Sequence, residues 1–378
     1  MTQPDKDTLQ AVGRCIRWRI PFALIQKPHS ADWIFFASCV DAVDTGGNGL
    51  EVSFFGEGAE AAPFIPATLT ARDILDLPSD FVAMPLPEIS AMRESTRFMP
   101  YYAALHQLID IHKRDGGKTV FSRLIALRSM ADPLDVALEY FAHFPESFKA
   151  LYFTRATGLW IVATPELLLR SDSNNRFETM SLAGTRWNCP PSQPWDKKNV
   201  EEHEYVTSHI VSTLACMELN VDVSPAFTLE FGPVQHLCEH IYASGHADFS
   251  SVLSALSPTP AVCGTPVSEA MSRILYFETH SRHCYGGWIM LREGKSCSAY
   301  VNLRSALVTP DSKRGNLYNI YAGGGITASS VPLDEWNEAG NKASRLFDAI
   351  AGKSRTDVSS QPDSLCFTSI ENAFSRKS

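Results

Sequence analysis

The chain has 378 residues, 44% hydrophobic and 20% charged, the makeup of an ordinary soluble globular protein with room for one large domain or two smaller ones. A formal charge of −9 without any Lys/Arg run disfavours nucleic acid as a partner, and the most apolar windows, Trp33 to Val40 and Leu159 to Leu169, are too short to cross a membrane. Nine singly scattered cysteines favour neither a disulfide framework nor a structural zinc site, and Met1 to Gln10 is too polar for a secretory signal, so a monomer in a reducing cytoplasm is expected.

The first hundred residues read as short strands, Trp33–Val40 and Leu50–Phe55 among them, separated by turn-formers such as Gly46–Gly47–Asn48–Gly49. Apolar spacing at Tyr102, Leu105, Leu108 and Ile109 predicts a helix from Pro100 to about Lys113, broken by Gly116–Gly117. Strands follow at Thr119–Leu127, Leu151–Phe153, Leu159–Thr164 and Leu167–Arg170. Next come helices from about Asn199 to Leu219 and from Pro266 to Phe277. Strands return at Gly287–Leu291, Ser298–Leu303 and Leu317–Tyr321, and a last helix spans about Pro332 to Ile350. From 352 to 378 the chain reads as a flexible polar tail. Blocks of strands with helices set between them indicate an α+β domain, and no glycine-rich loop of a nucleotide-binding type is present.

Two of these helices carry carboxylates on one face. Glu202 is in step with the apolar Val206 and Ile210, and Glu338 with Lys342 and Leu346; Glu335 lies one turn before Glu338. Early-turn glutamates also complement the helix dipole, which accounts for Glu201, Glu204 and Glu335 and is open for Glu202. Two inward carboxylates from separate helices would equally form an oxygen cage for Mg²⁺.

Ordered short strings go further. KTVFSR at Lys118–Arg123, PELLLR at Pro165–Arg170, LAGTR at Leu182–Arg186 and EEH at Glu201–His203 come first. HL at His236–Leu237, PTPAVCG at Pro258–Gly264, YGG at Tyr285–Gly287, NLR at Asn302–Arg304, YAGGGI at Tyr321–Ile326 and EWNEAGNK at Glu335–Lys342 follow. No single string is specific. The ordered set, from about Arg97 to Ile350, resembles the chorismate-utilising enzymes: anthranilate synthase large subunit, aminodeoxychorismate synthase, salicylate synthase and isochorismate synthase.

That resemblance implies two packed antiparallel sheets with helices outside, as in anthranilate synthase, residues 1–96 forming a divergent part of the fold and 97–351 the catalytic region. It implies Mg²⁺ held directly by Glu202 and Glu338, with Glu335 as an outer, water-linked carboxylate. The dianionic substrate chorismate would be gripped by Lys342, Arg304, Tyr285 and a glycine nest of backbone amides around Gly323 and Gly325, with Gly184 and Thr185 along the ring. Arg304 read alone could be a surface arginine, and the glycine run only a turn.

For the reaction, the resemblance assigns Lys118 as the base that activates water at C2 and Glu166 as the acid that protonates the C4 hydroxyl as it leaves. The first task calls for a lysine with a lowered pKa, the second for a carboxyl kept neutral by apolar neighbours such as Leu167 and Leu168. Lysine at 118, where ammonia-using relatives carry glutamine, and Ala183, where aminodeoxychorismate synthases carry a lysine, argue against the ammonia branch. Ala261, where salicylate and anthranilate synthases usually carry threonine, favours isochorismate synthase over salicylate synthase. A non-catalytic chorismate-binding protein would be expected to have lost Lys118 or Glu166, and both are present. Glu239 stands where threonine is usual and has no assigned role; Cys263 reads as a buried filler. The product of such an enzyme feeds menaquinone and siderophore pathways alike, and no residue separates the two.

Overall fold

The apolar runs that open the KTVFSR and PELLLR segments are strands buried on both faces, and they pair only antiparallel. The computed structural model describes residues 2–39, 47–56, 62–172, 176–187, 189–190, 193–231, 234–311 and 313–354. Val40, Gly46 and the tail beyond 354 therefore lie outside the described residues.

One sheet has eight strands in the order Gly264–Thr265, Lys118–Ser129, Asn316–Ile326, Ser305–Thr309, Gly158–Thr164, Phe148–Thr154, Phe22–Gln26 and Trp33–Ala37. The other has nine: Asn220–Val223, Val234–Ser244, Arg176–Trp187, Leu167–Ser171, Ser296–Val301, Trp288–Glu293, Gly49–Val52 and Phe64–Pro66 in order, with Phe227–Phe231 also paired to Val234–Ser244. They pack face to face through a shared core in which Ile25, Tyr152, Trp160 and Tyr321 of the first meet Leu50, Ile289 and Tyr300 of the second. Helices cover the outer faces. Lys6–Trp18, Pro133–Ala142 and Pro332–Ser354 share one core cluster with the first sheet, while Lys197–Cys216 and Phe249–Leu256 pack on the second. The fold is thus the α+β sandwich expected. Among the described residues no helix is long and apolar enough to cross a membrane.

Several elements differ from expectation. The N-terminal hundred residues hold the helix Lys6–Trp18 as well as strands; Asp5 caps it by accepting from the Thr8 amide, and it buries Ala11, Val12, Cys15 and Trp18. Their four strands finish the ends of both sheets, two on each. The last helix continues to Ser354, so the polar tail does not begin at 352. The glycine run of YAGGGI is neither a turn nor a nest. Gly323, Gly324 and Gly325 continue the strand Asn316–Ile326, paired with Ser122, Phe121 and Val120. On its other side the ladder with Ser305–Thr309 ends at Tyr321, which leaves that backbone edge open from Ala322 onward.

Candidate active site

Where that edge opens, a cleft lies between the sheets. Lys118, Glu166, Gly184, Thr185, Glu202, Ala261, Tyr285, Arg304, Gly323, Gly325 and Lys342 all line it. Glu335 and Glu338, the other two expected residues, stand behind Gly324 and beside Lys342.

The helix Lys197–Cys216 starts at Asp196, whose side chain accepts from the Asn199 amide, and it buries Glu202 with Val206 and Ile210, as their spacing predicts. Glu201 and Glu204 face solvent. Glu202 meets Lys118 across the cleft floor, Oε1 to Nζ 2.8 Å, with Lys118 only 1% exposed. Burial opposes the charge of Glu202, yet the Lys118 ammonium holds its carboxyl below the ordinary range. Gly325 makes the encounter possible: a Cβ there would fall 2.3 Å from Glu202 Oε1 and 2.5 Å from Lys118 Cε.

The second carboxylate helix, Pro332–Ser354, supplies two more ion pairs. Lys342 Nζ sits 2.6 Å from Glu338 Oε1 and donates to Gly323 O at 3.1 Å. Glu335 is the more buried glutamate of this helix, 2% exposed, and takes Lys198 Nζ at 2.7 Å from the other helix. A first-turn dipole role does not describe a side chain so enclosed. Burial, and then the nearby Glu338 carboxylate, push the Glu335 carboxyl up despite Lys198. Lys198 itself was not singled out from the sequence.

Glu166 lies in the cleft wall, 3% exposed, and burial pushes its carboxyl up to about 8, with Lys118 pulling the other way. It is a neutral acid at neutral pH. Arg304 is partly buried, with a left-handed φ of 51°, a strained conformation that recurs where function fixes a side chain. Its Nη2 donates to His236 Nε2 at 3.2 Å, while His236 Nδ1 donates to Gly184 O at 2.9 Å. Burial and the neighbouring Arg304 and Lys342 push His236 down to about 3, so the ring is neutral and can accept from the guanidinium. His236 is therefore both hydrogen-bonded in the core and part of the cleft wall. Gly184, at φ 75°, sits where a Cβ would meet Asn199 O at 2.9 Å. Asn199 Oδ1 accepts from the Thr185 amide at 2.7 Å, which ties the helix start to the LAGTR strand.

Three groups of residues only the structure brings together. Glu239 accepts from Thr207 Oγ1 at 2.6 Å and meets His203 Nε2 at 3.1 Å, behind Glu202. Glu278 and Arg282 pair at 2.6 Å, and Arg282 donates to the carbonyls of Val262 and Val120, residues of the cleft wall. Tyr321 stacks between Trp160 and Tyr285. Apart from Glu278 and Arg282, which stand four residues apart, these partners are distant along the chain and leave no local signal. Cys263 is the buried filler expected, its thiol pushed up to about 11 by burial.

Among the described residues no group of three or more His, Cys, Asp and Glu side chains is assembled as a metal cluster. The carboxylates nonetheless suit a hard cation such as Mg²⁺. Glu335 Oε2 is buried without a hydrogen-bond partner. Gly324 leaves room beside it, since a Cβ there would lie 3.0 Å from that oxygen and 3.3 Å from Glu338 Oε1.

The profile of the chorismate binding enzyme family matches residues 83–348. The chain is 29% identical over 282 residues to isochorismate synthase MenF of Escherichia coli K12, covering 69% of this chain and 63% of that protein, so it spans less than two thirds of that relative. It is 30% identical over 280 residues to isochorismate synthase EntC of the same organism, 70% and 69% of the two chains. The solved structure of Escherichia coli MenF, a menaquinone-specific isochorismate synthase, shares the fold with a TM-score of 0.73 at 21% identity, over 92% and 91% of the two chains.

Proposed function

The chain belongs to the chorismate binding enzymes, and from that premise we propose that it is an isochorismate synthase, converting chorismate to isochorismate by addition of water at C2 and loss of the C4 hydroxyl. The observation that carries the reading is Lys118 and Glu166 lining one cleft, the second held as a neutral acid. Glu166 can give its proton to the departing hydroxyl, which leaves as water. Lys118 can take a proton from the incoming water once Nζ has let go of Glu202 and given up its own extra proton to solvent, leaving the neutral amine. The two transfers balance, so the sum is an isomerisation.

Arg304, Tyr285 and Lys342 are suited to the two substrate carboxylates, and His236 fixes the Arg304 fork by accepting one of its N–H groups. The open backbone edge from Ala322 to Gly325 offers amides along the same wall. A magnesium ion bound by Glu202 and Glu338, with Glu335 close by, would supply positive charge to a substrate carboxylate. Ala261 leaves space in the wall where a hydroxyl-bearing residue would add a polar contact, which supports hydroxyl transfer without pyruvate loss.

Incubation with chorismate and Mg²⁺ followed by chromatography tests the assignment. Isochorismate without pyruvate is expected. Stoichiometric salicylate and pyruvate would make the protein a salicylate synthase, and absence of turnover would reject both.

A further inference from the structure

We infer that Lys118, Lys198 and Lys342 are built-in counter-cations, which a divalent ion displaces from Glu202, Glu335 and Glu338, so that ion and dianionic substrate enter the site as a coupled pair. The inference rests on the magnesium reading above and deepens it.

Each carboxylate has its own lysine: Lys118 on Glu202 at 2.8 Å, Lys198 on Glu335 at 2.7 Å and Lys342 on Glu338 at 2.6 Å. Three negative charges thus face three positive ones in a largely buried setting. A dication or a dianion arriving alone would leave this site two charges out of balance, where imbalance is costly. Arriving together they add no net charge. Each therefore favours the other, and by linkage the effect is reciprocal.

Geometry supports the exchange. Lys118 Cε and Glu202 Oε1 both crowd the missing Cβ of Gly325, so a Glu202 turned toward an ion frees Nζ inside the cleft. Lys342 already reaches Gly323 O on the cleft wall. Lys198 does not line the cleft. It rises from the helix that bears Glu202 and grips Glu335 on the helix that bears Glu338, so it is a positioning residue that sets how firmly the carboxylates are held against an incoming ion.

The test uses chelator-treated full chain and Mn²⁺ as probe, with the free ion read by electron paramagnetic resonance. Chorismate is added in a Glu166→Gln background to prevent turnover. We expect chorismate to tighten Mn²⁺ binding about tenfold or more, and Lys198→Met to tighten it comparably without chorismate while shrinking the chorismate effect, from the Coulomb effect of one charge removed near a dication. Lys198→Arg should match the parent. Lys198→Gln serves if the methionine variant does not fold. Mn²⁺ binding that is unchanged or weaker in folded Lys198→Met overturns the inference alone. No Mn²⁺ bound by wild type, with or without chorismate, overturns the magnesium reading and this inference with it.

Discussion

Gly325→Ala is the sharpest probe of the cleft floor. The added Cβ would lie 2.3 Å from Glu202 Oε1 and 2.5 Å from Lys118 Cε, against roughly 3.5 Å for a relaxed non-bonded contact. Each side chain must retreat by about 1 Å, which pulls both off the positions where they now meet at 2.8 Å, and Lys118, 1% exposed, has little room to do so. Overpacking of this kind costs about 1–3 kcal/mol of stability. A displacement of 1 Å at a reacting group costs about a hundredfold in rate, and here an assigned base and its ion-pair partner both move, so kcat/KM should fall about 10²- to 10⁴-fold. Gly324→Ala meets only carboxylate oxygens, at 3.0 and 3.3 Å, which can rotate away, and should cost about tenfold. Steady-state chorismate turnover with Mg²⁺, beside urea melts of both variants, reads the two effects separately. A folded Gly325→Ala protein with kcat/KM within about threefold of wild type would refute the idea that Lys118 and Glu202 meet at the reaction centre.

Glu166→Gln should lower kcat about 10²- to 10⁴-fold. It should also stabilise the fold at alkaline pH: the Glu166 carboxyl titrates near 4.5 when unfolded and about 8 when folded, so between those values the folded state holds the extra proton and stability drops as pH rises, by about 1.4 kcal/mol per unit. Urea midpoints at pH 5 and pH 8 check this, and a variant-to-wild-type gap that does not widen with pH counts against it. Lys118→Met leaves the Glu202 carboxylate buried without its partner and should cost about 3–5 kcal/mol, most of it recovered in Lys118→Met/Glu202→Gln; equal stability of all three proteins in urea would mean the pair is not the buried interaction described. Gly13→Ala, in the middle of the Lys6–Trp18 helix with nothing within 4 Å of the new methyl, should add about 0.5–1 kcal/mol in thermal melts and leave turnover unchanged.

Much of this site was legible along the chain because short ordered strings mark it. Glu202, in a series spaced by four with Val206 and Ile210, was readable as inward from helical period alone, and the structure buries all three. The helix at Phe98–Asp115 and its stop at Gly116 were likewise plain. What escaped was of two kinds. The helix Lys6–Trp18 has its buried stripe at Ala11, Val12, Cys15 and Trp18, but a charged first turn and Gly13 mask the period. The other losses are tertiary. No helical spacing could announce that Lys198 would reach Glu335 on another helix, or that Glu239 would settle against His203 and Thr207. The glycine run of YAGGGI misled because three glycines suggest a bend, whereas a neighbouring strand stretches them straight.

One ladder bears on how the molecule is made. Lys118–Ser129 finds its principal neighbour only in Asn316–Ile326, with Ser122 opposite Gly323. At about 5–20 residues per second, a ribosome needs on the order of ten seconds or more to deliver that partner, and an apolar strand has to wait meanwhile. The centre of the first sheet thus closes only after Asn316–Ile326 has been made, and fragments ending before Asn316 should emerge as clients of chaperones rather than as half-built enzymes.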